Sequence, residues 1–152
     1  MMGFIKRKQL AGLLLILGMI LGVIRLSVAS VSSSRGQADG VSKLVGNWTG
    51  ESICTGNLQS CHDEKVIYRV AKTDEPDKVR ITADKLVNGK PETMGVFDFK
   101  YDSEKRTLVN EFTNSRGVHG VWELKVKGDE MKGTLTLLPD KSVVRHVKVK
   151  KE

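Results

Sequence analysis

The chain has 152 residues, of which 39% are apolar, 5% aromatic and 28% charged, with 15 Gly and 3 Pro. This composition excludes a disordered tail protein, a collagen-like repeat and a polytopic membrane protein. The formal net charge is +7, but no acid offsets the cations of residues 1–29, so the rest of the chain is only slightly basic. A small excess of that kind does not predict nucleic-acid binding.

Residues 1–29 have the organisation of a secretory signal. A basic start precedes an apolar run over residues 10–24, which is shorter than the roughly 20 residues of a membrane-spanning helix. Small residues follow at Ser27 and Ala29. We therefore predict cleavage after Ala29 and export to the periplasm or the cell exterior. The alternative is a retained N-terminal anchor, which is the only membrane contact that the sequence suggests.

The segment between the signal and the body, residues 30–44, begins with a polar stretch rich in Ser and Gly. This composition predicts a flexible lead-in.

From Val45 onward, apolar and polar residues alternate in short segments that end in turn residues. A period of two is typical of strands that bury one face, and Asn88-Gly89 is the strongest hairpin signal. We predict an all-β domain over residues 45–152, an eight-stranded antiparallel up-and-down meander closed as a barrel. A two-sheet sandwich is the alternative. Closure is favoured because an open meander leaves two strand edges unpaired.

The apolar phase of the strands also carries polar side chains. Eight strands enclose an interior that side chains just fill, or that holds one small ligand. A ligand in that interior would meet Trp48, Ser52, Tyr68, Asn110 and Arg145, which are the predicted binding residues.

Cys54 and Cys61 flank a six-residue loop after the first strand. In an exported protein this spacing predicts a disulfide. The alternative is a metal site completed by His62 and Asp63, which lacks a second ligand pair at zinc spacing. We predict neither a metal nor another cofactor. The sequence has none of the common hydrolase, metalloprotease or phosphate-loop motifs, so an enzyme is not expected.

Gly46-Asn47-Trp48 at the start of the first strand and Arg145 on the last resemble the lipocalin and calycin arrangement. In that family a Gly-x-Trp opens the barrel and a late arginine packs over the tryptophan, and its members include carriers of hydrophobic ligands. The family's Thr-Asp-Tyr signature is absent. The Trp-x-Gly-x-x-x-Cys start also resembles small exported bacterial proteins of unassigned function.

Alternation points the Arg145 side chain into the apolar interior, where an unpaired guanidinium is costly. We predict that it packs on the face of Trp48. The alternatives are polar groups at an open barrel end, the carboxylate of a ligand, and a bulge that turns Arg145 outward.

Two functions follow as hypotheses. The first is an exported, monomeric barrel that binds a small apolar or amphipathic ligand. The alternative is a protein-interaction or inhibitor module that acts through the loop between Cys54 and Cys61. The lysines of the last strand alternate with valines, which favours a solvated strand over a nucleic-acid surface.

Overall fold

The computed structural model describes residues 39–55 and 61–152. The predicted signal peptide, its cleavage after Ala29 and the first part of the predicted lead-in lie outside these residues. In the described part of the chain, eight strands follow one another in sequence. They are β1 (Gly46–Cys54), β2 (Glu64–Lys72), β3 (Lys78–Val87), β4 (Lys90–Asp102), β5 (Thr107–Thr113), β6 (His119–Lys127), β7 (Glu130–Leu138) and β8 (Ser142–Lys151).

The strands close into a barrel because β8 pairs with β1 as well as with β7. All pairs are antiparallel and the spatial order follows the chain order. The predicted all-β meander is therefore confirmed as a closed barrel, and the sandwich alternative is wrong. Between β1 and β8 the register runs from Trp48 opposite Lys151 to Cys54 opposite Arg145.

The connection between β3 and β4 confirms the predicted hairpin signal. Asn88 has φ 52° and Gly89 has φ 78°. Two consecutive residues in the left-handed region form the turn whose twist matches that of the flanking strands, and Asn-Gly is its preferred sequence.

Two glycines allow neighbouring strands to approach closely. A Cβ atom added to Gly133 of β7 would lie 1.8 Å from the carbonyl oxygen of Glu123, and one added to Gly50 of β1 would lie 2.1 Å from that of Lys148. Glycine in a strand interior commonly marks such close backbone contact and tight coiling of the sheet.

The hydrophobic core occupies much of the barrel interior and extends to one end. Trp48, Val79, Leu108 and Met131 have no measurable exposure (0%). All four belong to the inward phase that alternation predicts.

One residue of β8 departs from the predicted phase. Val143 is expected inside the barrel, but it is 41% exposed, whereas Val144 is buried. The register shifts there, because Leu135 pairs with Arg145 and Thr136 already pairs with Val143. One extra residue on β8 forms a bulge, which reverses the alternation on one side of it.

A short helix over residues 39–44 covers one end of the barrel, which we call the helix end. These residues are the last part of the predicted lead-in, whose residues 30–38 lie outside the described part of the chain. Val41 and Leu44 are each only 3% exposed, since their spacing of three places both on one side of the helix. The Leu44 carbonyl accepts a hydrogen bond of 2.8 Å from Trp48 Nε1. In the described part of the chain, no helix is long and apolar enough to cross a membrane.

The seam between β4 and β5 is the shortest in the barrel. β4 pairs with β5 only over residues 100–102 and 107–109, although β4 also pairs with β3 over ten residue positions from Lys78 to Val87. Beyond the short ladder, Asn110 Nδ2 donates a hydrogen bond of 2.9 Å to the Asp98 carbonyl. A side chain therefore takes the place of a backbone donor at this point.

Candidate ligand-binding site

A cavity of about 140 Å³ lies inside the barrel, toward the end opposite the helix. We call this the cavity end. Its wall is mainly apolar. The lining residues are Ser52, Tyr68, Ile81, Ala83, Met94, Phe97, Phe99, Trp122, Leu124 and Arg145. A largely apolar wall with a few converging polar groups is the usual composition of a small-molecule site.

The size of the cavity limits what it can enclose. Typical pockets for drug-sized ligands are several hundred Å³, whereas an engineered apolar cavity of about 150 Å³ holds a molecule as large as benzene. The cavity can therefore enclose one ring, or an alkyl chain of about six carbons.

The polar part of the wall is built around Arg145. Its Nη1 donates to Ser52 Oγ at 2.8 Å and to the Ser52 carbonyl at 3.3 Å, and its Nη2 donates to the His62 carbonyl at 2.9 Å. These acceptors carry no formal charge, and none of the ion pairs among the described residues includes Arg145. The guanidinium thus keeps its full positive charge at the cavity wall.

Tyr68 of β2 lies near Ser52 and the Arg145 guanidinium. Burial raises the pKa of its hydroxyl to about 12, although a hydrogen bond with Ser52 and the charge of Arg145 act to lower that pKa. The hydroxyl is consequently protonated at neutral pH. Ser52 is 2% exposed and joins Tyr68 to Arg145.

The prediction that Arg145 packs on Trp48 is wrong. Arg145 lies opposite Cys54 in the β1–β8 register, at the cavity end, whereas Trp48 lies opposite Lys151 at the helix end. Lys151 Nζ is 5.8 Å from the centre of the Trp48 ring and donates to the Lys43 carbonyl at 2.7 Å. A lysine therefore makes the cation–π contact, and polar groups at the end of the barrel compensate Arg145.

The structure brings together three of the five predicted binding residues. Ser52, Tyr68 and Arg145 line the cavity. Trp48 is fully buried and covers the helix end instead. Asn110 faces the seam, where its Nδ2 contacts Asp98 and its buried Oδ1 has no hydrogen-bond partner.

The sequence gives no direct signal for Met94 as a lining residue. Between Ala83 opposite Gly95 and Asp84 opposite Thr93, β4 has one extra residue, which is Met94. A bulge of this kind re-aims a side chain, and Met94 reaches the cavity wall while remaining 44% exposed. Alternation alone could not have located it.

The predicted disulfide between Cys54 and Cys61 is present. Because both sulfur atoms are in the disulfide, neither is available as a thiolate ligand, and the alternative metal site is wrong. Asp63 Oδ1 instead accepts a hydrogen bond of 2.8 Å from the Cys54 backbone N–H. Thr55 binds β8 through both its N–H and its hydroxyl, at Val144 and Val143.

Thr55 therefore ties one side of the disulfide loop to β8, and Asp63 ties the other side to Cys54 of β1. The carbonyl of His62, directly after Cys61, is the acceptor for Arg145 Nη2. The residue that follows the disulfide therefore contacts the polar part of the cavity wall.

No protein-family model matches the chain, and a search of curated proteins finds no match. The closed eight-stranded barrel is compatible with a lipocalin-like fold.

Proposed function

We propose that this protein is an exported barrel that binds one small amphipathic anion at the cavity end. The apolar part of the ligand occupies the cavity and its anionic group pairs with Arg145. A disulfide fits an exported protein, and the organisation of residues 1–29 favours a cleaved signal.

The observation that carries the proposal is a charged guanidinium in an apolar wall without a carboxylate partner among the described residues. A guanidinium matches a carboxylate in geometry, and charge-assisted hydrogen bonds are stronger than neutral ones. Arg145 Nε donates to no described acceptor, so donors remain for a ligand. The protonated Tyr68 hydroxyl supplies a further donor.

Binding is favoured over catalysis for a chemical reason. The guanidinium group of arginine is not deprotonated near neutral pH, and burial raises the pKa of the Tyr68 hydroxyl to about 12. General acid–base catalysis works best with a pKa near the operating pH. The polar groups on the described wall are therefore suited to recognition of an anion.

Calorimetric titration with hexanoate and with hexan-1-ol tests the proposal. The two molecules have similar alkyl chains and differ in charge. We expect hexanoate to bind about 10- to 100-fold more tightly, because a hydrogen bond to a charged group contributes about 1.5–3 kcal/mol.

Arg145→Gln should remove that preference, and Arg116→Gln, which changes an exposed arginine, should leave it unchanged. Absence of hexanoate binding to the parent protein would contradict the proposal. It would favour instead a module that contacts a protein partner through the loop between Cys54 and Cys61.

A further inference from the structure

The seam between β4 and β5 is continuous with the cavity wall. Phe97 of β4 lines the cavity, and its ring centre is 6.4 Å from that of Phe112 on β5. The two rings lie on either side of the region where the strands no longer pair. Backbone hydrogen bonds do not close the barrel wall here. Side chains close it.

Both rings rest on glycines. A Cβ atom on Gly95 would lie 2.7 Å from Phe97 Cζ, and one on Gly120 would lie 3.0 Å from Phe112 Cζ. The absence of side chains at these positions lets each ring lie flat against its own part of the wall. The rings are half-buried, and the described β4–β5 ladder does not extend to either of them.

Apolar side chains of β4 lie both at the cavity wall and on the outside of the barrel. Met94 lines the cavity and is 44% exposed, and Val96 of β4 is 55% exposed. Val96 is the most exposed of the large hydrophobic residues in the described chain. Together with Phe112, these residues form a path that we call the seam path.

We propose that the ligand is a single-chain amphipath longer than the cavity, whose alkyl tail leaves the barrel along the seam path. This inference rests on the proposed function, in which Arg145 binds the anionic group. The cavity of about 140 Å³ encloses about six carbons, so part of any longer chain must lie outside it, either along the wall or at the cavity end. The β4–β5 seam is the place where passage breaks no strand pairing, and Met94, Phe97 and Phe112 offer it an apolar surface.

A chain-length series of alkyl carboxylates tests the inference by calorimetry, with butanoate, hexanoate, octanoate and decanoate as probes. If the tail uses the seam path, affinity should continue to rise beyond hexanoate, by about two- to fourfold per methylene. A cavity closed on all sides would give a maximum near hexanoate and weaker binding of decanoate, because overpacking is unfavourable.

Two variants locate the path. Phe112→Ala changes a ring that does not line the cavity, so hexanoate affinity should stay within about twofold while decanoate loses about tenfold. Val96→Glu places a charge on the outer part of the path and should likewise weaken decanoate only. Val45→Glu is the matched control, because Val45 is 36% exposed but directly precedes β1 at the helix end, away from Arg145 and the seam path. It should change neither affinity.

The outcomes separate the two proposals. If hexanoate does not bind, the proposed function fails. If hexanoate binds and decanoate binds more weakly, the function stands and the seam path is wrong. If decanoate binds more tightly but Val96→Glu and Phe112→Ala leave its affinity unchanged, the tail leaves by the cavity end, which also overturns the inference. Val96→Glu alone decides the question if Phe112→Ala does not fold.

Discussion

Gly133→Ala should be among the most destabilising single-methyl additions in the barrel. The new Cβ atom would lie 1.8 Å from the Glu123 carbonyl oxygen and 2.7 Å from Leu124 Cα. Both are backbone atoms of β6, which pairs with β7 at this point. Ordinary contact begins near 3.4 Å, so the strands must separate by about 1.5 Å, and no side-chain rotation can prevent this in a close-packed interior.

The loss of stability comes from the hydrogen bonds and the core packing that strand separation disrupts. Displacing the strands at Leu124 and Gly133 weakens about two ladder hydrogen bonds, each with a net contribution of about 1 kcal/mol. Overpacking beside the fully buried Leu108 and Met131 adds about 1–3 kcal/mol. We expect the free energy of unfolding to fall by about 3–5 kcal/mol, a large fraction of the 5–15 kcal/mol typical of a domain.

Urea unfolding followed by tryptophan fluorescence measures the effect, and Gly120→Ala is the matched control. Its new Cβ atom would meet Phe112 Cζ at 3.0 Å and Leu135 Cδ1 at 3.2 Å, which are the ends of side chains that can move. We expect a cost of about 1 kcal/mol or less there. Both substitutions restrict the unfolded chain equally, so the difference reports the folded state. Equal costs at the two glycines would refute the backbone-contact reasoning.

Two further predictions concern the cavity end and can be tested on the purified protein. In an alkaline titration followed by phenolate absorbance, neither of the chain's two tyrosines should be half-ionised at pH 10, because burial raises the pKa of Tyr68 to about 12 and also raises that of Tyr101. Tyr68 remains protonated in the folded state while the unfolded state ionises, so Tyr68 should lower stability by about 2–3 kcal/mol as pH rises from about 10 to 12. Tyr68→Phe should remove this part of the loss and leave the part that comes from the raised pKa of Tyr101. Free-thiol labelling of the native protein should label neither Cys54 nor Cys61. The double substitution to serine should lower stability by about 2–3 kcal/mol. It should also weaken hexanoate binding, because the His62 carbonyl then holds Arg145 less firmly. Quantitative labelling, or unchanged hexanoate affinity in the double variant, would contradict the second prediction.

The fold was predictable because strand alternation is a local property. Each segment after Val45 shows its own period of two, and the turn residues divide the segments without reference to the rest of the chain. The Asn88-Gly89 turn is the clearest case, since both residues adopt the left-handed conformation that the dipeptide favours. Closure followed from the general cost of unpaired edges.

Alternation does not determine how far along the barrel axis each residue lies. It correctly placed Trp48, Ser52, Tyr68 and Arg145 on the inner face, but the stagger of β8 against β1 decides which of them meet. Arg145 is opposite Cys54, six residues along β1 from Trp48. At about 3.3 Å per residue this is about 20 Å, too far for the predicted stacking contact.

Bulges account for the other differences within the strands. The extra residues on β4 and β8 exist only relative to their partners, so a single strand's sequence does not reveal them. They moved Met94 to the cavity wall and Val143 to the surface. The helical residues 39–44 did have a local signal, the spacing of Val41 and Leu44, but two apolar positions are too few for a helical period to be recognised.

The two ends of the barrel differ in how they accommodate a cationic side chain near the apolar interior. Each has a cation near the interior, since Lys151 lies over Trp48 and Arg145 lies beside Ser52. At the helix end the indole ring of Trp48 and the carbonyl of Lys43 contact the ammonium group. At the cavity end the guanidinium borders unfilled volume instead. Apolar packing could have filled that volume with a gain in stability, and this unfilled space beside an unneutralised charge is the physical basis of the binding function that we propose.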